Sequence, residues 1–204
     1  MSANPNTYPL MESIALIDGE FRHLRLHQAR INLAQKQLLK LDLTFQLEDW
    51  LNQFSIPQKG FYKCRLLYGE HFKSPEFIPY TFKAIRSLKL IHANELDYAH
   101  KYSDRTAINE AFSTRQFCDD ILIVKDGLIT DSSYCNIAFQ KNSQWVTPAK
   151  PLLQGVQRRF LLQQGTIMEA EIRPTDLTRF SAFRLFNAMI DWHAAVEIPI
   201  NAIY

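Results

Sequence analysis

Glycine is scarce in this chain, with six residues among 204. No Walker phosphate loop and no dinucleotide fingerprint is present. Cysteine is scarcer still. Cys64, Cys118 and Cys135 are too few and too scattered for a disulfide framework, and no CxxC pair suggests zinc. They read as reduced thiols in a reducing compartment. Histidines at positions 23, 27, 71, 92, 100 and 193 form neither HExxH nor a dense cluster with Asp and Glu. No GxSxG elbow marks a serine hydrolase. Charge of one sign is lacking as well. The net charge is +2 and the basic residues are dispersed, which argues against nucleic acid or an anionic membrane as partner. No apolar run is long enough to span a bilayer. Met1 to Pro9 is polar, contains two prolines and lacks the apolar core of a signal peptide. These absences point to the cytoplasm.

What remains is an ordinary globular composition, 47% hydrophobic and 22% charged, in a length suited to one compact unit or two small lobes. Leu10 to Asp18 is an apolar segment that turns at Asp18-Gly19 and pairs with Glu20–Arg22. Apolar residues at 24, 31, 34, 38 and 41 predict a helix over 26–39, and a second follows over 47–54. Strands are expected at 61–68, 78–82 and 88–91, and a helix at 106–117. Asp120–Val124 reads as a buried strand, turned at Asp126-Gly127. Strands at 128–130, 134–139 and 145–147 complete an antiparallel meander. A helix over 156–162 follows Gly155. Strands are expected at 167–172 and 183–186, with a short helix near 175–177 between them. The class is α+β, in two lobes with antiparallel sheets: a small N-terminal lobe over 1–91 and a larger C-terminal one over 92–204.

Several residues admit two readings. Lys101, in a polar stretch, is ordinarily a solvated surface residue. It also stands where the lobes are expected to meet, and partial desolvation there would make it a nucleophilic amine. Asp131 follows an apolar strand directly. It caps a turn, or it is a buried carboxylate aimed at a cation. Arg30, at the flank of an apolar helix face, either snorkels or binds a phosphate bidentately. Gly155-Val156-Gln157 opens a helix whose free N–H groups would suit a phosphate, or it is just a glycine at a helix entrance.

Taken together and in order, these residues resemble the fold-type-IV pyridoxal-phosphate (PLP) family. That family contains branched-chain and D-amino-acid aminotransferases and aminodeoxychorismate lyases. His27-Gln-Ala-Arg30 is similar to the family's helical His-x-x-Arg. Lys101 followed by Asp104-Arg105 is similar to its lysine motif. Gly127-Leu-Ile-Thr-Asp131 with Asn136-Ile-Ala-Phe139 resembles its G-x-(V/I)-T-E-x-x-x-x-N block. Thr147-Pro148 with Leu153-Gln-Gly-Val-Gln-Arg158 resembles its T-P … L-x-G-(V/I)-x-R block. Asn187-Ala188-Met189 matches the strand end that closes the phosphate site. Two features depart from the pattern. Asp replaces the usual Glu at 131, and the N-terminal lobe is shortened, with only Leu10-Met-Glu-Ser13 resembling the family's F-E-T strand.

The resemblance implies a D-amino-acid aminotransferase-like fold and pyridoxal phosphate held as a Schiff base on Lys101. Arg30, Asp131, Asn136, Gly155, Val156, Gln157, Asn187 and Ala188 would bind the cofactor. Asp131 would face the ring nitrogen, and Arg30 with the amides of Val156 and Gln157 would face the phosphate. Arg105 and Arg65 are candidates to receive a substrate carboxylate. The substrate would be a small-molecule amine or amino acid, and the enzyme a homodimer. Lys101-x-x-Asp-Arg105 and Asn187-Ala188 resemble the lyase more than the branched-chain enzymes. The expected reaction is therefore elimination from 4-amino-4-deoxychorismate, with aminotransfer as the alternative. A relative that binds the cofactor without turnover is the third reading.

Overall fold

The computed structural model describes residues 8–41 and 45–204. The predicted absence of a signal peptide falls mostly on residues 1–7, outside the described residues. The chain falls into two compact units. The first comprises the described residues through Phe82 together with His100–Asp104, and the second Lys83–Ala99 with Arg105–Tyr204. The first unit therefore ends earlier than the expected boundary at 91, and the short segment bearing Lys101 returns to it.

In the first unit, β1 (Leu10–Ile17) turns into β2 (Glu20–Phe21) and is followed by α1 (Leu24–Ala34) and α2 (Leu47–Leu51). Strands β3 (Phe61–Tyr68) and β4 (Glu76–Pro79) complete the order β2-β1-β3-β4 among the described residues. β1 and β3 pair antiparallel from Leu10 opposite Tyr68 to Ile17 opposite Phe61. The pleat sends Leu10, Glu12, Ile14 and Leu16 to one buried face. Against it lies the α1 stripe His27, Ile31 and Ala34, at helical spacing.

The predicted helix over 26–39 is α1 only to Ala34. Gln35–Leu39 widens into a π-turn that ends at Lys40 in the left-handed region. The widened turn moves Leu38 off the buried stripe, to 39% exposure. β4 lies at 76–79 rather than 78–82, with Pro79 its last residue.

The second unit begins with β5 (Leu88–His92), α3 (Thr106–Ser113), β6 (Asp120–Lys125) and β7 (Leu128–Ser132). Asp126 and Gly127 both have positive φ (51° and 75°), the geometry of the tight hairpin that Asp-Gly predicts. Next come β8 (Asn136–Lys141), β9 (Gln144–Pro148), α4 (Val156–Gln163), β10 (Met168–Ala170), β11 (Ala182–Phe186) and β12 (Glu197–Pro199). Their sheet runs β10-β9-β8-β11-β12. The expected α+β class with antiparallel sheets holds, with two parallel pairs added: β5 with β6, and β9 with β10. β8 has core on both faces, because Ile137 and Phe139 join one apolar cluster and Ala138 the other. That two-sided burial accounts for its unbroken apolar run.

All three cysteines are free thiols, and all three are buried. Among the described residues no helix is long and apolar enough to cross a membrane.

Candidate active site

In the second unit the candidate residues gather around the ends of β7, β8 and β11. The β6–β7 register shifts between the Leu122–Ser132 and Val124–Ile129 pairs, a bulge that falls at Thr130 and Asp131. A bulge re-aims side chains, so consecutive residues Ile129 through Ser133 can all be buried. Asp131 Oδ1 accepts from Asn136 Nδ2 at 2.7 Å, and Oδ2 accepts from the Leu153 backbone N–H at 2.9 Å. The same Asn136 amide nitrogen donates to the Leu153 carbonyl at 3.0 Å. Burial pushes the Asp131 carboxyl up to about 6, against the pull of those donors and of Arg158.

Gly155 is required where it stands. A Cβ there would lie 1.9 Å from Asn136 Oδ1. The loop is held from its other side by Arg158, whose buried guanidinium donates to the Pro148 carbonyl, to Glu169 and to Gln154. α4 then begins at Val156 with no side chain capping its first turn, although Val156 and Gln157 are both buried. Asn187 sits just beyond Phe186, the β11 partner of Asn136. Its Oδ1 accepts from the Met189 and Ile190 N–H groups, and its Nδ2 donates to the Tyr134 carbonyl. The half-buried Ala188 lies within that turn. Arg105 donates to the Ser133 carbonyl at 2.7 Å and to the Tyr98 hydroxyl at 3.3 Å.

In the first unit, Arg30 faces a partner to which the sequence reading assigned no role. Its Nε donates to Glu12 Oε1 at 2.8 Å and its Nη2 to Glu12 Oε2. His27 Nδ1 lies 2.7 Å from the same Oε2. Glu12 and His27 are wholly buried. Burial opposes ionisation of Glu12, but Arg30 and His27 outweigh it and hold the carboxyl near 2. Burial pushes His27 down in spite of Glu12, and its Nε2 is buried without a hydrogen-bond partner among the described residues. Lys101 is half-buried. Its carbonyl accepts from the Met11 N–H at 2.9 Å, and Tyr102 bridges Leu10. Arg65, on β3, pairs with Glu76 at 3.3 Å in a partly exposed contact.

Glu12 and the Leu153 amide were missed for different reasons. Glu12 carries a visible signal, a carboxylate in the buried phase of Leu10-x-Glu-x-Ile14-x-Leu16. The Leu153 contact is made by backbone, which residue identity does not encode.

Residues 70–198 match the class IV amino-transferase family. The chain belongs to that family. Its members are PLP-dependent enzymes. A Haemophilus influenzae protein of uncharacterized function is 33% identical over 184 residues, which is 89% of this chain and 98% of that protein. A crystal structure of a candidate 4-amino-4-deoxychorismate lyase from Haemophilus somnus 129pt is 34% identical, with TM-score 0.85. It covers 92% of this chain and 100% of its own. A hypothetical aminotransferase from Mycobacterium tuberculosis in its PLP-bound form has the same fold at TM-score 0.74 and 14% identity, covering 95% of this chain and 81% of its own.

Pyridoxal phosphate requires an anion site, an amine and a negative charge for its ring nitrogen. In the second unit the uncapped first turn of α4 suits an anion, and in the first unit, taken by itself, so does the Arg30 guanidinium. Lys101 is an amine, and Asp131 is a buried carboxylate. The donor set fits the family's cofactor.

Proposed function

We propose that this protein is a 4-amino-4-deoxychorismate lyase that uses pyridoxal phosphate and releases 4-aminobenzoate and pyruvate. The observation that carries the reading is the buried Asp131 carboxylate, fixed by Asn136 and the Leu153 amide beside the uncapped start of α4. The lyase assignment draws on Lys101-x-x-Asp-Arg105, on Asn187-Ala188, and on likeness to the Haemophilus somnus protein.

Lys101 would hold the cofactor through its Nζ, and the same amine is placed to take the proton from the amine-bearing carbon of the substrate. Arg30 and the Val156 and Gln157 amides bind the phosphate. Asn136, Gly155, Asn187 and Ala188 shape that binding, the first two by fixing the loop that leads into α4. Asp131 would supply negative charge to the ring nitrogen, and a cation there would favour its ionised form against the burial that raises it to about 6. The bound cofactor supplies an electron sink for the charge left on the carbon. Arg105, its guanidinium fixed by Ser133 and Tyr98, receives the substrate carboxylate. Arg65, spent on Glu76 near the surface, is the weaker candidate. The enzyme works as a cytoplasmic homodimer in this reading, so light scattering should give twice the chain mass.

The test is turnover of aminodeoxychorismate. Release of pyruvate and 4-aminobenzoate together supports the lyase. Amino transfer from branched-chain or D-amino acids to 2-oxoglutarate, without 4-aminobenzoate, rejects it in favour of an aminotransferase. Inertness in both assays with cofactor bound rejects it in favour of a non-catalytic relative.

A further inference from the structure

We propose that Glu12 is a positioning residue that sets the Arg30 guanidinium for phosphate and ties its place to that of Lys101 through the dipeptide Met11-Glu12. The inference rests on the reading of Arg30 as the phosphate anchor.

Glu12 occupies the buried row of β1 with Leu10, Ile14 and Leu16. Taking a carboxylate out of water there is costly, and an apolar residue of like volume would serve packing as well or better. The form of the contact suggests what the carboxylate does instead. Nε and Nη2 of Arg30 meet the two carboxylate oxygens in a parallel fork, which fixes the guanidinium plane as well as its distance. His27 donates to Oε2 from the buried stripe of α1, so the carboxylate is itself pinned from the helix that carries Arg30. A guanidinium held this way is not the solvated end of a snorkelling side chain. The preceding residue on the same strand, Met11, donates its backbone N–H to the Lys101 carbonyl. Two adjacent residues of β1 thus register the arginine by its side chain and the lysine by its backbone.

If Glu12 served packing alone, its loss would affect every ligand alike or none. If it positions Arg30, its loss should be felt only through phosphate. Dissociation constants are therefore measured for pyridoxal 5′-phosphate and for phosphate-free pyridoxal on the wild type, Glu12→Gln, Glu12→Asp and Arg30→Gln. Glu12→Asp keeps the charge and draws it back by one methylene, so it stays informative where Glu12→Gln does not fold. The expected result is a loss of about tenfold or more in phosphate-ester affinity for Glu12→Gln, a smaller loss for Glu12→Asp, and pyridoxal affinity within about twofold of wild type in both. Arg30→Gln should reproduce the selective loss. A selective loss in Arg30→Gln with wild-type ratios in the Glu12 variants overturns the inference and leaves the Arg30 assignment standing. A wild-type ratio in Arg30→Gln overturns that assignment, and the inference with it. A parallel loss of both ligands in the Glu12 variants assigns Glu12 to packing and also overturns the inference.

Discussion

Asp131 is one methylene shorter than the glutamate of the family pattern, and the protein meets it with its own backbone. The Leu153 N–H and the Asn136 amide both reach the carboxylate within its unit. Each carboxylate oxygen can accept more than one donor, so these bonds orient the group without exhausting it. Asp131→Asn keeps the shape and removes the charge. Turnover should fall about a hundredfold or more, in the range seen when a preorganised electrostatic group is lost, while cofactor affinity falls less. Near-normal turnover in that variant would make Asp131 a turn cap. Lys101 is a simpler case. Borohydride reduction of the loaded protein should leave the cofactor on the peptide containing Lys101, and Lys101→Ala should abolish that attachment. Label on another lysine would move the assignment.

At the scale of elements, the loop from Leu153 to Gly155 is held by Asp131 and Asn136 on one side and by Arg158 on the other. Gly155→Ala would press a methyl group into Asn136 Oδ1, so it should cost about 1–3 kcal/mol of stability by thermal or denaturant unfolding. In an Asn136→Ala background the obstruction is gone, and the same substitution should cost much less. Equal costs in both backgrounds would mean that the loop relaxes by another route. How far such elements were legible depended on where their information lies. The Asp-Gly turns, the Leu10/Ile14/Leu16 alternation and the Ile31/Ala34 stripe are local, and the sequence predicted them. The π-turn at Gln35–Leu39 was not legible, because an α-helix and a widened turn share nearly the same apolar spacing. The parallel pairing of β5 with β6 joins strands far apart in sequence, and nothing within either strand names its partner. In the site, Asp131 and Gly155 stood out through motif order. The donors that meet them depend on the β7 bulge, and Glu12 was legible only as a charge in the wrong phase of a strand.

At the scale of the whole molecule, the two units carry buried ionisable groups of opposite linkage sign. In the first unit the Glu12 carboxyl is held near 2, below its ordinary 4.5, so its stabilisation is complete above about 4.5 and is lost as pH falls toward 2. His27 is pushed below its ordinary 6.5 by burial, so the unfolded chain takes up its proton first, and acid costs the first unit again. In the second unit burial raises Asp131 to about 6 and raises Asp120 as well, above their ordinary 3.8. The folded form binds these protons more tightly than the unfolded chain. The Asp131 penalty is present at neutral pH and is relieved as pH falls from about 6 through 3.8, and that of Asp120 is relieved in the same direction. The lowered Glu171 carboxyl belongs to an exposed pair with Lys150 and weighs little against these groups. Tryptophans lie in both units: Trp50 packs edge-on against Phe54 in the first, and Trp145 edge-on against Trp192 in the second. Acid titration of the cofactor-free protein can therefore be followed unit by unit. The double variant Trp145→Phe/Trp192→Phe reports on the first unit, and Trp50→Phe on the second. The Trp50 signal should change at higher pH than the Trp145/Trp192 signal, and Glu12→Gln should flatten the first transition below pH 4.5 while leaving the second in place. Coincident transitions in the two reporters, unchanged by Glu12→Gln, would show that these buried groups do not govern acid stability.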